Sequence, residues 1–366
     1  MSTRLKVGVV GTGVIGQVMH LHFLREMKDR FDIVAVCDLS VSSGSAAAEE
    51  YGVERVYTDW REMISSPLDA VLVLTSGSHA PIAIEAARAG LHVFVEKPMC
   101  FSTAEGAEMV SEAAKAGKVL MVGYPKRYDP AFKRFQEEVA LLSGPKLLRV
   151  TTTESPFVPY VSHYPMVLAT DVGADVLAPL VADSERRLAA AIGTNDEHLV
   201  SQYSNVLLDT LVHEINTIRG VLDEPDWLDF VEMRPGALNA HLSFGDVSAA
   251  IHWVDTPGMT RYSMEFVMMA SDGRVTLSFP SPYLRNAPTA LSIEGGEPGE
   301  TTSWRRDEVT SFESGFKEEL IAFYNAVTTG EAPPTDGADS VHDIAMCQSI
   351  IRFLQTRQPI EKPTQY

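Results

Sequence analysis

Over the first third of the chain, apolar residues come in short unbroken runs, each followed by a stretch with helical spacing. The runs are LKVGVV (5–10), IVAVCD (33–38), DAVLVLTS (69–76), HVFVEKP (92–98) and VLMVGY (119–124). Helical patterns lie between them at 14–28, 42–51, 80–89 and 103–116. Buried strands alternating with amphipathic helices predict a parallel sheet covered on both faces. Near residue 125 the pattern changes. From 146 onward apolar and polar positions alternate, first in KLLRVTTTES (146–155). ALNAHLSFGDVSAAIHWVD (237–255) reads as two strands turning at Gly245-Asp246, and YSMEFVMMASDGRVTLSFP (262–280) as two more turning at Asp272-Gly273. Helices are expected at 205–220, 314–328 and 338–356. The expected layout is α/β over 1–124, then α+β over 125–366 with an open, mainly antiparallel sheet. Residues 156–204 fit neither pattern. They carry prolines at 156, 159, 165 and 179 and one short predicted helix, 184–192. An irregular insertion of this length reads as a lid over a site or as a surface excursion.

Length and composition narrow the picture. A chain of 366 residues exceeds what one core usually serves, which fits two domains. A net charge of −19 argues against a nucleic-acid partner, because phosphate binding needs basic patches. Cys37, Cys100 and Cys347 are widely spaced and form no metal-type cluster, so they are expected to be reduced and packed, and no metal is expected. His20 and His22, two residues apart on a helix, do not face each other. No apolar stretch approaches the roughly 18 residues of a membrane helix. MSTRLKVGVVG runs into a strand without the apolar core of a signal peptide, so a cytoplasmic protein with no membrane partner is expected.

The chemistry begins at Gly11-Thr12-Gly13-Val14-Ile15-Gly16. A GxGxxG is a weak signal alone, but this one follows a strand, opens a helix, and is followed by Asp38 at the end of the next strand. Such glycines let the backbone approach a pyrophosphate at a helix N-terminus, and the acid accepts from a ribose diol. Asp38 would repel a 2′-phosphate, and neither Leu39 nor Ser40 would bind one. NAD is therefore favoured as the cofactor, with NADP possible.

Ligands of an open parallel sheet sit at the carboxyl ends of its strands. Thr75 and His79 follow one such end, and Glu96-Lys97-Pro98 closes another. Further along, LLDTLVHEINTIRG (207–220) places Asp209 and His213 four residues apart, with Asn216 about a turn beyond. On a regular helix Asp209 and His213 share a face. They form either a surface pair or a carboxylate that orients an imidazole general base. Tyr160, His163 and Tyr164 become substrate contacts if the 156–204 segment folds over the site.

Taken together, GTGVIG, Asp38, the Thr75–His79 pair, EKP, GYPKRYDP (123–130) and the D-x-x-x-H of 209–213 resemble the glucose–fructose oxidoreductase, inositol dehydrogenase and MocA family. The resemblance is dense over the N-terminal part and extends to the layout of the rest. It implies a Rossmann domain, a second domain built on an open antiparallel sheet, and a nicotinamide between them. It implies that Lys97 touches both substrate and cofactor, that His213 and Asp209 handle a hydroxyl proton, and that Arg127 lies near the cofactor. The activity implied is NAD(P)-dependent hydride transfer at a secondary alcohol or ketone of a sugar, glycoside or cyclitol. The alternatives are an NAD-dependent glycosidase or lyase that works through transient oxidation, and a non-catalytic sensor. The chain departs from the family pattern at Ser204, Asn205, Leu211 and Asn216, which leaves the substrate open. An uncovered sheet face points to a homodimer or homotetramer.

Overall fold

The computed structural model describes residues 4–297 and 299–366. Six strands form the first sheet: β1 (Leu5–Val10), β2 (Phe31–Cys37), β3 (Arg55–Tyr57), β4 (Ala70–Val73), β5 (His92–Glu96) and β6 (Leu120–Gly123). All pair in parallel, in the order β3-β2-β1-β4-β5-β6. The near-continuous apolar character of β1, β4 and β5 follows from burial on both faces. The crossover helices include α1 (Leu21–Glu26), which continues a π-helical turn at Gly16–His20, then α2 (Val41–Tyr51), α3 (Ala80–Arg88) and α4 (Thr103–Ala116). Strand order reverses between β1 and β4, so the crevice for a ligand opens beyond their carboxyl ends.

Helix α5 (Pro130–Ala140) leads into the second sheet. Its strands are β7 (Pro145–Glu154), β8 (Trp227–Arg234), β9 (Ala237–Phe244), β10 (Val247–Asp255), β11 (Ser263–Ala270), β12 (Gly273–Phe279), β13 (Ala290–Gly296), β14 (Ser303–Val309) and β15 (Ile360–Glu361). The order is β14-β13-β12-β11-β7-β10-β9-β8-β15. Pairing is antiparallel except between β7 and β10, so the sheet is mixed. The longer helices that follow are α6 (Ala174–Ile192), α7 (Val212–Leu222) after a π-helical stretch at Tyr203–Leu211, α8 (Gly315–Thr329) and α9 (Gly337–Thr356), with short helical segments at Val158–Val161 and Glu197–Gln202.

One buried cluster runs from Val93 and Val95 of β5 through Ile344 and Ile350 of α9 to Leu148, Ile251 and Phe266 of the second sheet. A second lies on the other face of the first sheet, where Phe316, Leu320 and Phe323 of α8 pack against Leu72, Phe94 and Met121. The chain thus returns to the first sheet after completing most of the second. Thr335 supplies its carbonyl to Val122 N at 2.9 Å, and Met121 bridges to Asp336.

Some elements differ from the sequence expectation. The helix expected at 184–192 extends back to Ala174, with Pro179 inside it and almost every residue of 174–183 exposed. The structure adds to the expected elements helix Pro130–Ala140, which buries Phe132 and Phe135 at helical spacing, and strands β3, β8, β13, β14 and β15. The open face of the second sheet is not the apolar surface that alternation suggested. Ion pairs Arg149–Glu265 at 2.5 Å, Arg274–Glu294 at 2.9 Å and Arg305–Asp307 at 2.8 Å lie across it.

Candidate active site

The glycine turn has the shape of a phosphate cradle. Gly11 sits at φ +97°, and a Cβ there would meet the Leu74 carbonyl carbon at 2.7 Å. A Cβ on Gly16 would stand 2.7 Å from the Gly11 oxygen, so the turn closes only with glycine at both positions. At Gly13 a Cβ would meet nothing within 4 Å: the loop faces open space, where a pyrophosphate fits. Val14 and Ile15 flank that opening, half-buried. Asp38 ends its strand beside the turn. One carboxylate oxygen accepts from Thr12 N at 2.7 Å and Thr12 Oγ1 at 2.9 Å, and the other from Ser40 N at 2.9 Å. These bonds fix Asp38 beside the glycine turn, where it could accept from a ribose diol.

A cavity of about 300 Å³ is lined by Lys97, just past the first sheet, and by Glu154, Asp255 and Met264 of the second. Lys97, just past β5, and His213, at the start of α7, both open onto it. Lys97 Nζ donates to the Asp209 carbonyl at 2.5 Å and stands 3.2 Å from its carboxylate. The sequence also led to Tyr160, which lines the same cavity and is fixed by bonds to Thr260 O and Tyr262 N. Lys126, Glu154, Tyr262 and Tyr283 complete this wall and were not found by sequence reading. Lys126 sits next to Arg127 in a pattern that reads as two surface cations; only the tertiary fold buries it.

The charges in this cavity tune one another. Burial, with the Lys126 and Lys97 ammonium groups, holds the His213 pKa well below its ordinary value. The imidazole is therefore neutral, as a proton acceptor must be. Its Nδ1 is buried with no hydrogen-bond partner, and its ring meets the Tyr124 ring edge-on at 6.1 Å. Lys126 is lowered to about 8 by burial and by Lys97, against the pull of Glu214 and Glu154. Burial lifts Glu214 to about 7, although Thr152 Oγ1 donates to it at 2.5 Å, and burial also raises Glu154.

Other residues singled out from the sequence have different surroundings. Asp209 does not bond His213. The helix is π-wound over Tyr203–Leu211, which widens the turn and breaks the four-residue register, so Asp209 points to Lys97 instead. Asn216 is buried away from the cavity, donating to Asp343 at 2.8 Å. Arg127 donates to the Asn216 carbonyl at 3.0 Å and packs against Gly220, which turns it toward α7. His79 is fully buried, with its ring nitrogens 2.7 Å from the Thr75 carbonyl and 2.8 Å from that of Pro98; it braces two strand-end loops. Glu96 lies beneath Lys97, 2.5 Å from His20 Nε2, with its other oxygen accepting from Lys97 N at 3.1 Å. His163 is exposed and stacks on Tyr164, whose hydroxyl bonds Tyr283 O, outside the cavity lining. The three cysteines are buried and unpaired. Among the described residues, His20, Glu96 and Glu319 form the one buried group with metal-type side chains close together.

A parallel sheet with this cradle at its switch point is a dinucleotide-binding arrangement of the Rossmann type. Residues 5–124 match the family described as an oxidoreductase family with an NAD-binding Rossmann fold. The myo-inositol 2-dehydrogenase of Thermotoga maritima is 25% identical over 361 residues, 98% of each chain. Inositol 2-dehydrogenase 3 of Saccharopolyspora erythraea is 25% identical over 367 residues, covering 97% of this chain and 95% of that one. The solved structure of a levoglucosan dehydrogenase with NADH and L-sorbose superposes with a TM-score of 0.76 at 18% identity, over 99% of this chain and 100% of that one. The match at residues 5–124 is to the Gfo/Idh/MocA oxidoreductase family, and the similarity to inositol dehydrogenases runs over nearly the whole chain. No helix among the described residues is long and apolar enough to cross a membrane.

Proposed function

We propose that the protein is a dehydrogenase that moves a hydride between NAD and a secondary alcohol or ketone of a sugar, glycoside or cyclitol. The observation that carries this reading is the meeting of Lys97 and His213 in one cavity, with Lys97 at the same carboxyl edge of the first sheet as the glycine cradle. NAD held by Gly11–Gly16 and Asp38 supplies the hydride acceptor. In the oxidising direction neutral His213 takes the hydroxyl proton. Lys97 donates to the substrate oxygen and stabilises the negative charge that develops there, a contribution that grows toward the transition state. Asp209 holds the Lys97 ammonium in place. Residues 1–124 serve as the dinucleotide-binding domain and 125–366 carry the substrate wall.

The substrate class is supported by the polar groups of Glu154 and Lys126 in the cavity wall, which suit polyhydroxylated molecules, and by the dehydrogenases to which the chain is similar. Three unpaired cysteines suit the reducing cytoplasm. A homodimer or homotetramer is part of the reading: Val176, Leu177, Leu180 and Val181 of α6 expose 42 to 53% of their surface, an apolar patch that association would cover. The test is a panel of sugars, inositols and glycosides incubated with NAD and with NADP, following absorbance of the reduced cofactor. Absence of turnover across polyols with both cofactors would overturn it.

A further inference from the structure

Beyond β7 and a short helical turn at Val158–Val161, the stretch 164–171 runs along the glycine turn and the start of α2. It is tied down at three points. Arg285 donates to the Val18 carbonyl at 2.8 Å while its guanidinium lies 4.2 Å over the Tyr164 ring. Gln17, directly after the cradle, exchanges two hydrogen bonds with the Val167 backbone: its Nε2 donates to Val167 O at 2.8 Å, and Val167 N donates to its Oε1 at 3.0 Å. The third point is Asp171. One of its carboxylate oxygens accepts from Ser40 Oγ at 2.5 Å and Ser42 Oγ at 2.9 Å, and the other from Ser42 N at 2.9 Å. Ser40 N in turn donates to Asp38. Two carboxylates, 133 residues apart in sequence, are thereby joined through a single serine.

NAD and NADP differ only by a phosphate on the 2′-oxygen of the adenosine ribose, the hydroxyl that lies against the acid at the end of β2. A 2′-phosphate needs several donors in that place. Residues 39–46, LSVSSGSA, contain no Arg or Lys, so the donors this segment offers are serine hydroxyls and backbone amides. Asp171 holds Ser40 Oγ, Ser42 Oγ and Ser42 N at once. It also adds a second negative charge beside Asp38, since the same hydrogen bonds keep its carboxyl down at about 2.

We propose that Asp171 is a cofactor-specificity residue: from the 164–171 stretch it occupies the donors of Ser40 and Ser42 that a 2′-phosphate would require, and so excludes NADP. This rests on the dinucleotide reading above and gives part of the 156–204 insertion a function. Selectivity arises here by filling the competitor's seat and repelling it, rather than by added contacts to NAD.

The test measures binding, not turnover. NADH and NADPH are titrated into the full-length protein, followed by cofactor fluorescence, for the wild type, Asp171→Asn, Asp171→Ala and Asp38→Ala, with thermal midpoints confirming that each variant is folded. Asp171→Asn keeps the shape and removes the charge; Asp171→Ala also frees the donors. Both should tighten NADPH about tenfold or more while NADH changes by less than about threefold, with Ala exceeding Asn. Asp38→Ala should weaken NADH, which separates the two carboxylates. Unchanged NADPH affinity, or equal shifts for both cofactors, would overturn the proposal and leave Asp171 as a structural tie. If the wild type binds neither dinucleotide, the dinucleotide reading itself falls, and this proposal with it.

Discussion

The Lys97 ammonium stands 3.2 Å from the Asp209 carboxylate, and this pair fastens the end of a strand in the first sheet to the helix that carries His213. In the proposed reaction the proton acceptor, His213, and the stabilising charge, Lys97, come from opposite sides of the crevice, and Asp209 links the two sides.

Removing the ammonium should therefore hit catalysis harder than binding. Lys97→Ala is expected to lower kcat by about 10²–10³-fold, the usual worth of a positioned donor to a developing oxyanion, with a smaller rise in KM. Asp209→Asn keeps the carbonyl that accepts from Lys97 and should cost less than Lys97→Ala. Steady-state kinetics on the substrate found in the panel decide; a Lys97→Ala effect confined to KM would contradict the role given to it.

The pH profile follows from the cavity charges. His213 is neutral well below its ordinary pKa, so oxidation should show no rise near ~6.5, where an unperturbed imidazole titrates. Lys126 loses its charge as pH passes about 8, which predicts an alkaline limb there if the ammonium holds the substrate. In Lys126→Met that limb should vanish, and the acidic limb should move up toward the ordinary histidine value because one of the cations depressing His213 is gone. His213→Ala should cost about 10²–10⁴-fold in rate. Profiles of kcat/KM for the three proteins check this; an acidic limb unmoved in Lys126→Met would refute the coupling.

Glu319 offers a stability test away from the chemistry. It is fully buried, and neither carboxyl oxygen has a hydrogen-bond partner. Burial, and then the Glu96 charge, raise its pKa well above the ordinary value. An acid whose pKa is raised by folding contributes stability that is complete below its unfolded pKa of ~4.3 and declines as pH climbs toward the folded value. Glu319→Gln removes that decline. Its melting temperature should fall less than the wild type's between pH 5 and pH 8, and parallel slopes would show that Glu319 is not a protonated acid in the folded chain.

Asn216 and Arg219 should behave as framework. Arg219 donates to Asp343 at 2.7 Å, Asp339 at 2.8 Å and Glu224 at 2.6 Å, and Asn216 donates to the same Asp343. Arg219→Ala leaves a buried carboxylate unpaired and should destabilise by about 3–5 kcal/mol. Asn216→Ala should lose about 1–3 kcal/mol in denaturant unfolding while kcat and KM stay near native values. A large kinetic defect in Asn216→Ala at full stability would return it to the active site.

Light scattering at about 1 μM checks assembly, a concentration at which specific complexes persist. A mass above the 40.0 kDa of one chain is expected, and Leu177→Glu with Leu180→Glu in α6 should shift it toward one chain.

The first sheet was legible because parallel strands buried on both faces leave unbroken apolar runs, and Lys97 stood out as a charge ending such a run. The hairpins at Gly245 and Asp272 were legible from their turn chemistry. What escaped depended on geometry without a local signature. The π-winding before Val212 turned Asp209 from His213 to Lys97, and nothing in LLDTLVHEINTIRG announces it. Lys126 reads as a surface cation until α7 and β7 enclose it. Asp171 meets Ser40 only because the insertion doubles back over a turn 131 residues earlier.

The return of α8 to the first sheet makes the core of the dinucleotide-binding part depend on residues from the far end of the chain. A fragment cut at residue 124 would bare the apolar face that Phe316, Leu320 and Phe323 cover and would lose the Thr335 tie to Val122. Recombination between relatives must therefore move 315–336 together with 1–124. A crossover placed by sequence order alone, at the junction between the two sheets, would pair each half with a stranger's lid on its core.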